Sequence, residues 1–337
     1  MECPHLADLP APPAGTTGWP WTEEGPRVES PGPWPRVTIV TPSYMQGQFL
    51  EETIRSVLLQ GYSDLEYFVI DGGSTDQSAE IIRRYEPWLA GWVSEKDDGH
   101  PAAVNKGWRR ATGEILAYIN SDDWYFPGAI ARVATAFREH PQVKWLSGEV
   151  CNGWESGTDD VHHIPHRTSL VECLGRKNYG YHQPGMFWRR SLMEEIGYLS
   201  EERTYSYCHD FFIRTILAGH EMLCLPERIS FFRWHRGSQT RANVHGFLEG
   251  DWKVFRRYQD RLPLQERDQA KRWLEEYEAD NLLRICYSFL LNGHRARAIG
   301  HMLKRCRLWS LVHPPRAVAG FLARAIVTGR PPAWFTG

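Results

Sequence analysis

The sequence predicts an α/β fold, a mostly parallel sheet flanked by helices. Short apolar runs of strand length alternate with segments of helical spacing from residue 36 onward. That alternation is the pattern of β-α-β units crossing over in the right-handed sense. Three successive strand candidates end in acidic residues: Asp71, Asp98 and the pair Asp122/Asp123. Parallel strands bring such ends to one edge of a sheet, where open α/β sheets bind ligands. With 42% hydrophobic and 24% charged residues over 337 positions, the chain has the means to build a sizeable core.

Residues 1–35 hold nine prolines and no periodic pattern. They read as an extended arm that packs over the domain through Trp19, Trp21 and Trp34, or else stays mobile. Residues 37–41 form a buried strand, and 49–60 a helix with Leu50, Ile54, Val57 and Leu58 at helical spacing. A second strand (67–70), second helix (79–85), short third strand (91–94), third helix (102–111) and fourth strand (115–119) follow. A helix over 129–139 and a strand over 143–146 come next. Residues 151–180 lack a clear period, contain His162, His163 and His166, and read as long loops or antiparallel hairpins. Strands are expected at 186–188 and 222–225, and a helix over 210–218 closed by Gly219. From about Leu264 the pattern is helical and amphipathic. The organisation is thus an arm (1–35), a sheet domain (36–245) and a helical, basic C-terminal region (246–337).

The formal net charge of −2 gives no support for nucleic-acid binding. Seven cysteines without a C-x-x-C pair argue against a disulfide framework or a zinc site and for a reducing compartment. The polar, Pro-rich N-terminus is unlike a signal peptide, and no apolar run reaches 18 residues. A cytoplasmic protein is expected.

Asn120-Ser121-Asp122-Asp123 follows directly on the strand at 115–119. Adjacent carboxylates repel unless a cation lies near them. Mg²⁺ is usually held by one or two carboxylates plus substrate phosphates. The same residues also suit a turn and helix cap before Phe126-Pro127-Gly128. Asp71 opens Asp71-Gly72-Gly73-Ser74-Thr75-Asp76, where glycine allows a tight turn and close ligand approach. A carboxylate there can accept hydrogen bonds from a base or ribose, while Ser74 with Gln77 matches a helix capping box. Asp98 sits in a charged turn, and Asn105-Lys106-Gly107 on a polar helical segment that either helps hold the ligand or faces solvent. No G-x-G-x-x-G follows either early strand, so a dinucleotide fingerprint is absent.

Taken in order, Thr41-Pro42-Ser43-Tyr44, Ile54-Arg55-Ser56-Val57-Leu58-Leu59-Gln60, Asp71-Gly72-Gly73-Ser74-Thr75-Asp76 and Asn120-Ser121-Asp122-Asp123 resemble family 2 glycosyltransferases, from about Arg36 to Thr240. The resemblance implies the GT-A fold, with a Rossmann-like nucleotide-binding half and an acceptor half. It also implies an inverting enzyme that moves a sugar from a nucleoside-diphosphate sugar, UDP being favoured, to a hydroxyl of a glycan or lipid-linked acceptor. Surface polysaccharide or glycolipid synthesis would be its setting. Asp71 and Asp98 then resemble acids that contact the nucleoside, and Thr41 and Pro42 the residues that open the nucleotide pocket. Asn105 and Lys106 would help hold the donor. Asp122 and Asp123 resemble the D-x-D-type element, with Asp123 as ligand of Mn²⁺ or Mg²⁺ and Asp122 nearer the ribose or a metal-bound water.

On the acceptor side, Cys208-His209-Asp210-Phe211 resembles the acidic motif that carries the catalytic base, which makes Asp210 the base unless it only caps its helix. His209 stands where many members carry a carboxylate, and Gly72 where many carry a second acid. His235 resembles a late element that closes over the diphosphate; it is the second candidate metal ligand, with Arg236 or Ser238 in reach of a phosphate. His182-Gln183 resembles a segment lining the acceptor cleft.

From Asn281 to the end there are nine Lys or Arg and no Asp or Glu. Leu303, Leu308, Trp309, Leu311, Val312, Phe321, Leu322 and Ile326 interleave with them, as in a helix lying on the inner face of a membrane, or in a packing domain with a solvated basic face. Two other classes stand beside the enzyme. One is a non-catalytic nucleotide-sugar or glycan-binding protein that keeps the fold. The other, a nucleotidyltransferase, expects a basic phosphate loop after the first strand, and residues 41–46 contain no Lys or Arg.

Overall fold

The structure, a computed structural model, describes residues 3–27, 34–154, 159–177, 180–202, 205–235, 237–309 and, near the end, 320, 321, 324, 327 and 328. In chain order the main elements are β1 (Val37–Ser43), α1 (Gly47–Leu58), β2 (Leu65–Asp71), α2 (Ser78–Tyr85), β3 (Gly91–Ser94), α3 (His100–Arg110), β4 (Ile115–Tyr118), β5 (Trp124–Tyr125) and α4 (Ala129–Glu139). They continue with β6 (Trp145–Trp154), β7 (Asp159–His163), α5 (Leu170–Leu174), β8 (Met186–Arg189), α6 (Arg190–Ile196), α7 (Tyr207–Leu217), β9 (Leu223–Trp234), α8 (Gln239–Ala242), α9 (Val244–Tyr258), α10 (Leu264–Asp280), α11 (Leu282–Leu291) and α12 (Arg295–Trp309). Two compact units result: Met1–Arg167 with Gly180–Glu201 and Arg214–Arg233, and Thr168–Tyr179 with Glu202–Ile213 and Trp234–Gly337.

The first unit holds a mixed sheet in the order β3-β2-β1-β4-β8-β6-β9-β5, with β7 paired to β6. β1 runs parallel to β2 and β4, and β2 parallel to β3. β8 is antiparallel to both β4 and β6, and β7 to β6. Side chains alternate across this sheet as period two demands. Val37 and Ile39, Tyr67 and Val69, Ile115 and Ala117 join Leu50, Ile54, Ile81, Ile82, Ile130 and Val133 from α1, α2 and α4. The other face takes α3, where Gly107 lies against Val40 and Trp108 meets Tyr118 edge to face at 5.7 Å. Both faces are covered, which is why these strands read as unbroken apolar runs.

The N-terminal arm packs on this unit. Leu9 enters the core. Trp19 Nε1 donates to the Tyr125 carbonyl at 2.8 Å. Arg55 is wholly buried, so each donor needs a partner. Its guanidinium finds them in the carbonyls of Pro10 (2.9 Å), Pro20 (3.0 Å) and Trp21 (3.1 Å), and in the Tyr85 hydroxyl (3.1 Å).

The aperiodic stretch after residue 150 contains the antiparallel β6–β7 hairpin, one of the two forms expected of it. Two local expectations change. The strand expected at 222–225 runs on to Trp234, because polar Glu227, Arg228 and Arg233 interrupt its apolar run on an antiparallel strand. Ser74 and Gln77 form no capping box: α2 starts at Ser78, and the Ser74 hydroxyl donates to Asp71 while accepting from the Met45 amide.

In the second unit α9, α11 and α12 share a core of Val244, Leu248, Leu282, Ile285, Phe289, Leu290, Ala298 and Met302, which Phe321 joins from beyond α12. Phe321 is therefore core rather than interfacial, whereas Leu303 is exposed. Leu311, Val312, Leu322, Ile326 and the side chains of Leu308 and Trp309 lie outside the described residues. Among the described residues no helix is long and apolar enough to cross a membrane.

Candidate functional site

Strand order reverses at β1, which has β2 on one side and β4 on the other. Such a reversal opens a crevice at the carboxyl ends of the strands. The ends of β1 and β4, together with those of β2 and β3, all lie on this edge, so Thr41 and Pro42, Asp71, Asp98 and Asp122/Asp123 share it. Main-chain bonds fasten it: Gly72 N–H to Ser43 O at 2.8 Å, Glu95 N–H to Asp71 O at 3.0 Å and Ile119 N–H to Val40 O at 3.0 Å.

Asp123 is the centre of the edge. Its carboxylate accepts the Arg233 main-chain N–H at 2.9 Å and the Asn120 side-chain amide at 3.1 Å. Its carbonyl accepts the Thr53 hydroxyl at 2.6 Å. Burial first, and then the neighbouring Asp122 carboxylate, push its pKa well above the usual range. Asp122 is the more open of the two. Arg233 closes the corner: Nε donates to the Asp122 carbonyl at 2.9 Å, Nη2 pairs with Glu52 at 2.5 Å, and the guanidinium lies 4.9 Å from the Phe49 ring centroid. Gln183 reaches the same corner, donating to the Tyr118 carbonyl at 2.8 Å while its amide oxygen lies 3.3 Å from Asn120 Nδ2. His100, at the start of α3, contacts the Asn120 amide oxygen at 2.8 Å, and burial lowers its pKa.

Asp71 is buried, and its carboxylate organises the turn. It accepts from the amides of Gly73 (3.2 Å) and Ser74 (2.9 Å), and from the hydroxyls of Ser74 and Ser94 (both 2.6 Å). A Cβ at Gly72 would stand 3.1 Å from the Asp97 carboxylate, a contact that this half-exposed side chain relieves by a small shift. Asp98 is exposed on the same rim. Thr41 is buried with its hydroxyl 2.9 Å from that of Tyr67, and Pro42 is buried beside it. At the end of β1 and just beyond it, the Ser43 hydroxyl and the Gln46 amide oxygen are buried without a hydrogen-bond partner among the described residues. Polar atoms in that state fit a ligand or water at this end of the crevice.

Two residues expected to hold the donor have partners within the protein. Asn105 is buried, and its amide bonds both the Leu199 carbonyl (2.9 Å) and the Leu199 N–H (3.1 Å) while donating to Glu201 at 2.7 Å. It locks α3 to the segment after α6 instead of facing a ligand. Lys106 pairs with Glu95 at 2.9 Å on the surface. His182 packs edge to face on Phe232 at 4.9 Å and lies 5.5 Å from the His163 ring. Burial drives its pKa down to about 3, leaving a neutral imidazole next to Gln183.

In the second unit, Asp210 lies in the first turn of α7. Its Oδ1 accepts from Arg257 Nη1 at 3.0 Å and from the Tyr258 hydroxyl at 2.9 Å. Arg257 also pairs with Glu202 at 2.7 Å. His209, expected on the acceptor side, is a partner in an internal ion pair. Its Nδ1 meets Asp251 Oδ1 and its Nε2 the Cys173 carbonyl, both at 2.9 Å. Burial works against the imidazolium, but the Asp251 and Cys173 bonds outweigh it and raise the pKa to about 9. His235 is buried just after β9, with its carbonyl accepting the Ser238 N–H at 3.2 Å. Arg236 lies outside the described residues.

Arg233, Glu52, Thr53 and His100 were missed in the sequence. Only the Asp-Asp pair signalled that a counter-charge had to come from somewhere, and Arg233 is 110 residues further on. Among the described residues, no three of the edge carboxylates form a ready cation cage. The donor set still suits a hard divalent ion, because Asp122 and Asp123 are adjacent oxygen ligands whose repulsion a cation relieves.

The profile of the family described as "Glycosyl transferase family 2" matches residues 38–197. An uncharacterized glycosyltransferase of Nostoc sp. is 30% identical over 209 residues, covering 59% of this chain and 65% of that protein. One of Mycobacterium tuberculosis is 30% identical over 190 residues, covering 54% of this chain and 70% of that protein. The match thus spans about two thirds of the length of these relatives. Among solved structures, a mannosyltransferase of Pyrobaculum calidifontis in complex with GDP-Man and Mn²⁺ superimposes with a TM-score of 0.51 at 17% identity, over 91% of this chain and 90% of that one. That likeness speaks for the fold, the mixed α/β arrangement of GT-A proteins. With its ordered motifs gathered on one sheet edge and relatives at this identity, the chain belongs to glycosyl transferase family 2.

Proposed function

We propose that the protein is a metal-dependent inverting glycosyltransferase that moves a sugar from a nucleoside-diphosphate sugar, UDP being the favoured nucleotide, to a hydroxyl of a glycan or lipid-linked acceptor. The observation that carries the reading is the Asn120–Asp123 turn at the β1/β4 crevice, braced by Gln183 and Arg233. Asp123 and Asp122 would hold Mn²⁺ or Mg²⁺, and His235 is the further candidate ligand. A divalent ion bound there supplies charge neutralisation for the departing diphosphate.

The chain's own residues supply the rest. Asn120 and the Arg233 amide fix both oxygens of the Asp123 carboxylate before any donor arrives. Asp71 and the Ser74 turn shape the nucleoside corner, with exposed Asp98 on its rim. Asp210 takes the proton from the acceptor hydroxyl as that oxygen attacks the anomeric carbon, and Arg257 and Tyr258 orient its carboxylate.

Two variants test this. Asp123→Ala should abolish turnover and weaken donor binding, measured as loss of the melting-point rise produced by UDP-, GDP- or dTDP-sugars with Mn²⁺. Asp210→Asn should lose about 10²- to 10⁴-fold in transfer rate while keeping that rise. Normal transfer by the Asp210→Asn protein would remove the base assignment. A non-catalytic binding protein is the alternative, and metal-dependent hydrolysis of a nucleotide sugar by the wild type would count against it.

A further inference from the structure

The β6–β7 hairpin carries a cluster that the transfer reaction does not use. Antiparallel register sets Cys151 directly opposite His162. Glu149 lies two residues before Cys151, so it projects from the same face. Cys151 Sγ stands 3.9 Å from His162 Nδ1 and 4.0 Å from Glu149 Oε1, and His162 Nδ1 contacts Glu149 Oε1. All three donor atoms lie within 4.8 Å of one another. Cys151 is buried, Glu149 half-buried and His162 exposed, so the cluster opens to solvent on one side.

A tetrahedral zinc ion, with bonds near 2.0–2.3 Å, holds its ligand atoms roughly 3.3–3.6 Å apart. The two sulfur separations already approach that spacing, and the imidazole need only swing away from the carboxylate. Thiolate and imidazole donors select borderline ions such as Zn²⁺ over the hard Mg²⁺ or Mn²⁺ that suit carboxylates and phosphates. We propose that Glu149, Cys151 and His162 bind one Zn²⁺ or Co²⁺ ion, leaving the fourth position to water.

The competing description is a plain ionic cluster, in which Glu149 pairs with His162 and with Arg228 Nε at 3.5 Å. Arg228 is half-exposed and can turn outward when a cation takes its place. The ion would clip β7 to β6. The next residue on β7, His163, packs on His182, whose neighbour Gln183 touches Asn120. The clip therefore fixes a strand that abuts the donor edge.

Binding displaces the Cys151 thiol proton, so metal uptake should weaken as pH falls. The test is titration of the full metal-stripped chain with Co²⁺, read by the near-ultraviolet sulfur-to-cobalt charge-transfer band. One equivalent should develop the band in the wild type. Cys151→Ser should abolish it, and the exposed His162→Gln change should weaken binding at least tenfold. Cys224→Ser and Asp123→Ala should leave it intact, which separates this site from the diphosphate edge. An undiminished band in Cys151→Ser, or wild-type affinity in His162→Gln, overturns the proposal, as does absence of the band in the wild type. His162→Gln also decides the matter if Cys151→Ser fails to fold.

Discussion

Arg233 joins the two acidic neighbours of the site. Its main chain holds Asp123, and its largely buried side chain neutralises Glu52, whose pKa is raised by burial and held back by that arginine. Removing one member of a buried pair strands the other charge, and such losses run to about 3–5 kcal/mol. Arg233→Ala should therefore cost on the order of 3 kcal/mol in urea unfolding, with donor affinity reduced because the Asp122 carbonyl loses its Nε donor while the main-chain bond to Asp123 remains. Restoring much of that stability through a second change, Glu52→Gln, would support the account; an additive double variant would refute it. His209 teaches the complementary lesson. Its place in the motif suggested an acceptor contact, yet Asp251 and Cys173 claim both ring nitrogens.

At the scale of elements, α3 decides how closely a helix can approach the sheet behind the crevice. Gly107 faces β1, and a Cβ there would come within 2.5 Å of a Val40 methyl. Alanine in a helix interior gains about 1 kcal/mol over glycine, while overpacking a core costs about 1–3 kcal/mol. The clash is with a β-branched side chain on a central strand, which cannot rotate away, so packing wins. Gly107→Ala should cost about 1–2 kcal/mol, read as a lower denaturant midpoint at unchanged m-value. A rise in stability would show that α3 is free to lift. The helix was readable from its apolar spacing. The need for a glycine within it was not, since Val40 is far away in sequence.

For the second unit as a whole, the buried His209–Asp251 pair makes folding pH-dependent. The folded pKa of His209, about 9, exceeds its ordinary 6.5. Its stabilisation is therefore complete below about pH 6.5 and is lost as pH rises through 9. The Asp251 carboxyl, which burial would raise, is instead depressed by Arg176 and His209. Its stabilisation is present above the ordinary carboxylate range and lost only in acid. Between pH 6.5 and 9.5 the wild type should lose on the order of 3 kcal/mol that His209→Gln does not lose, by the usual 1.36 kcal/mol per pKa unit. Parallel pH curves for the two proteins would sink this assignment.

The alternation of strands and helices, the acidic strand ends and the ordered motifs up to Asp123 were all legible by themselves, because each is a local pattern of period two, period 3.6 or turn chemistry. What tertiary structure alone decided was which polar groups meet. Arg233 on Asp123, Gln183 on Asn120, Leu199 on Asn105 and Asp251 on His209 join residues 42 to 110 positions apart. No periodicity encodes such pairings. They follow from burial, which forces every enclosed donor and acceptor to find a partner wherever the folded chain supplies one.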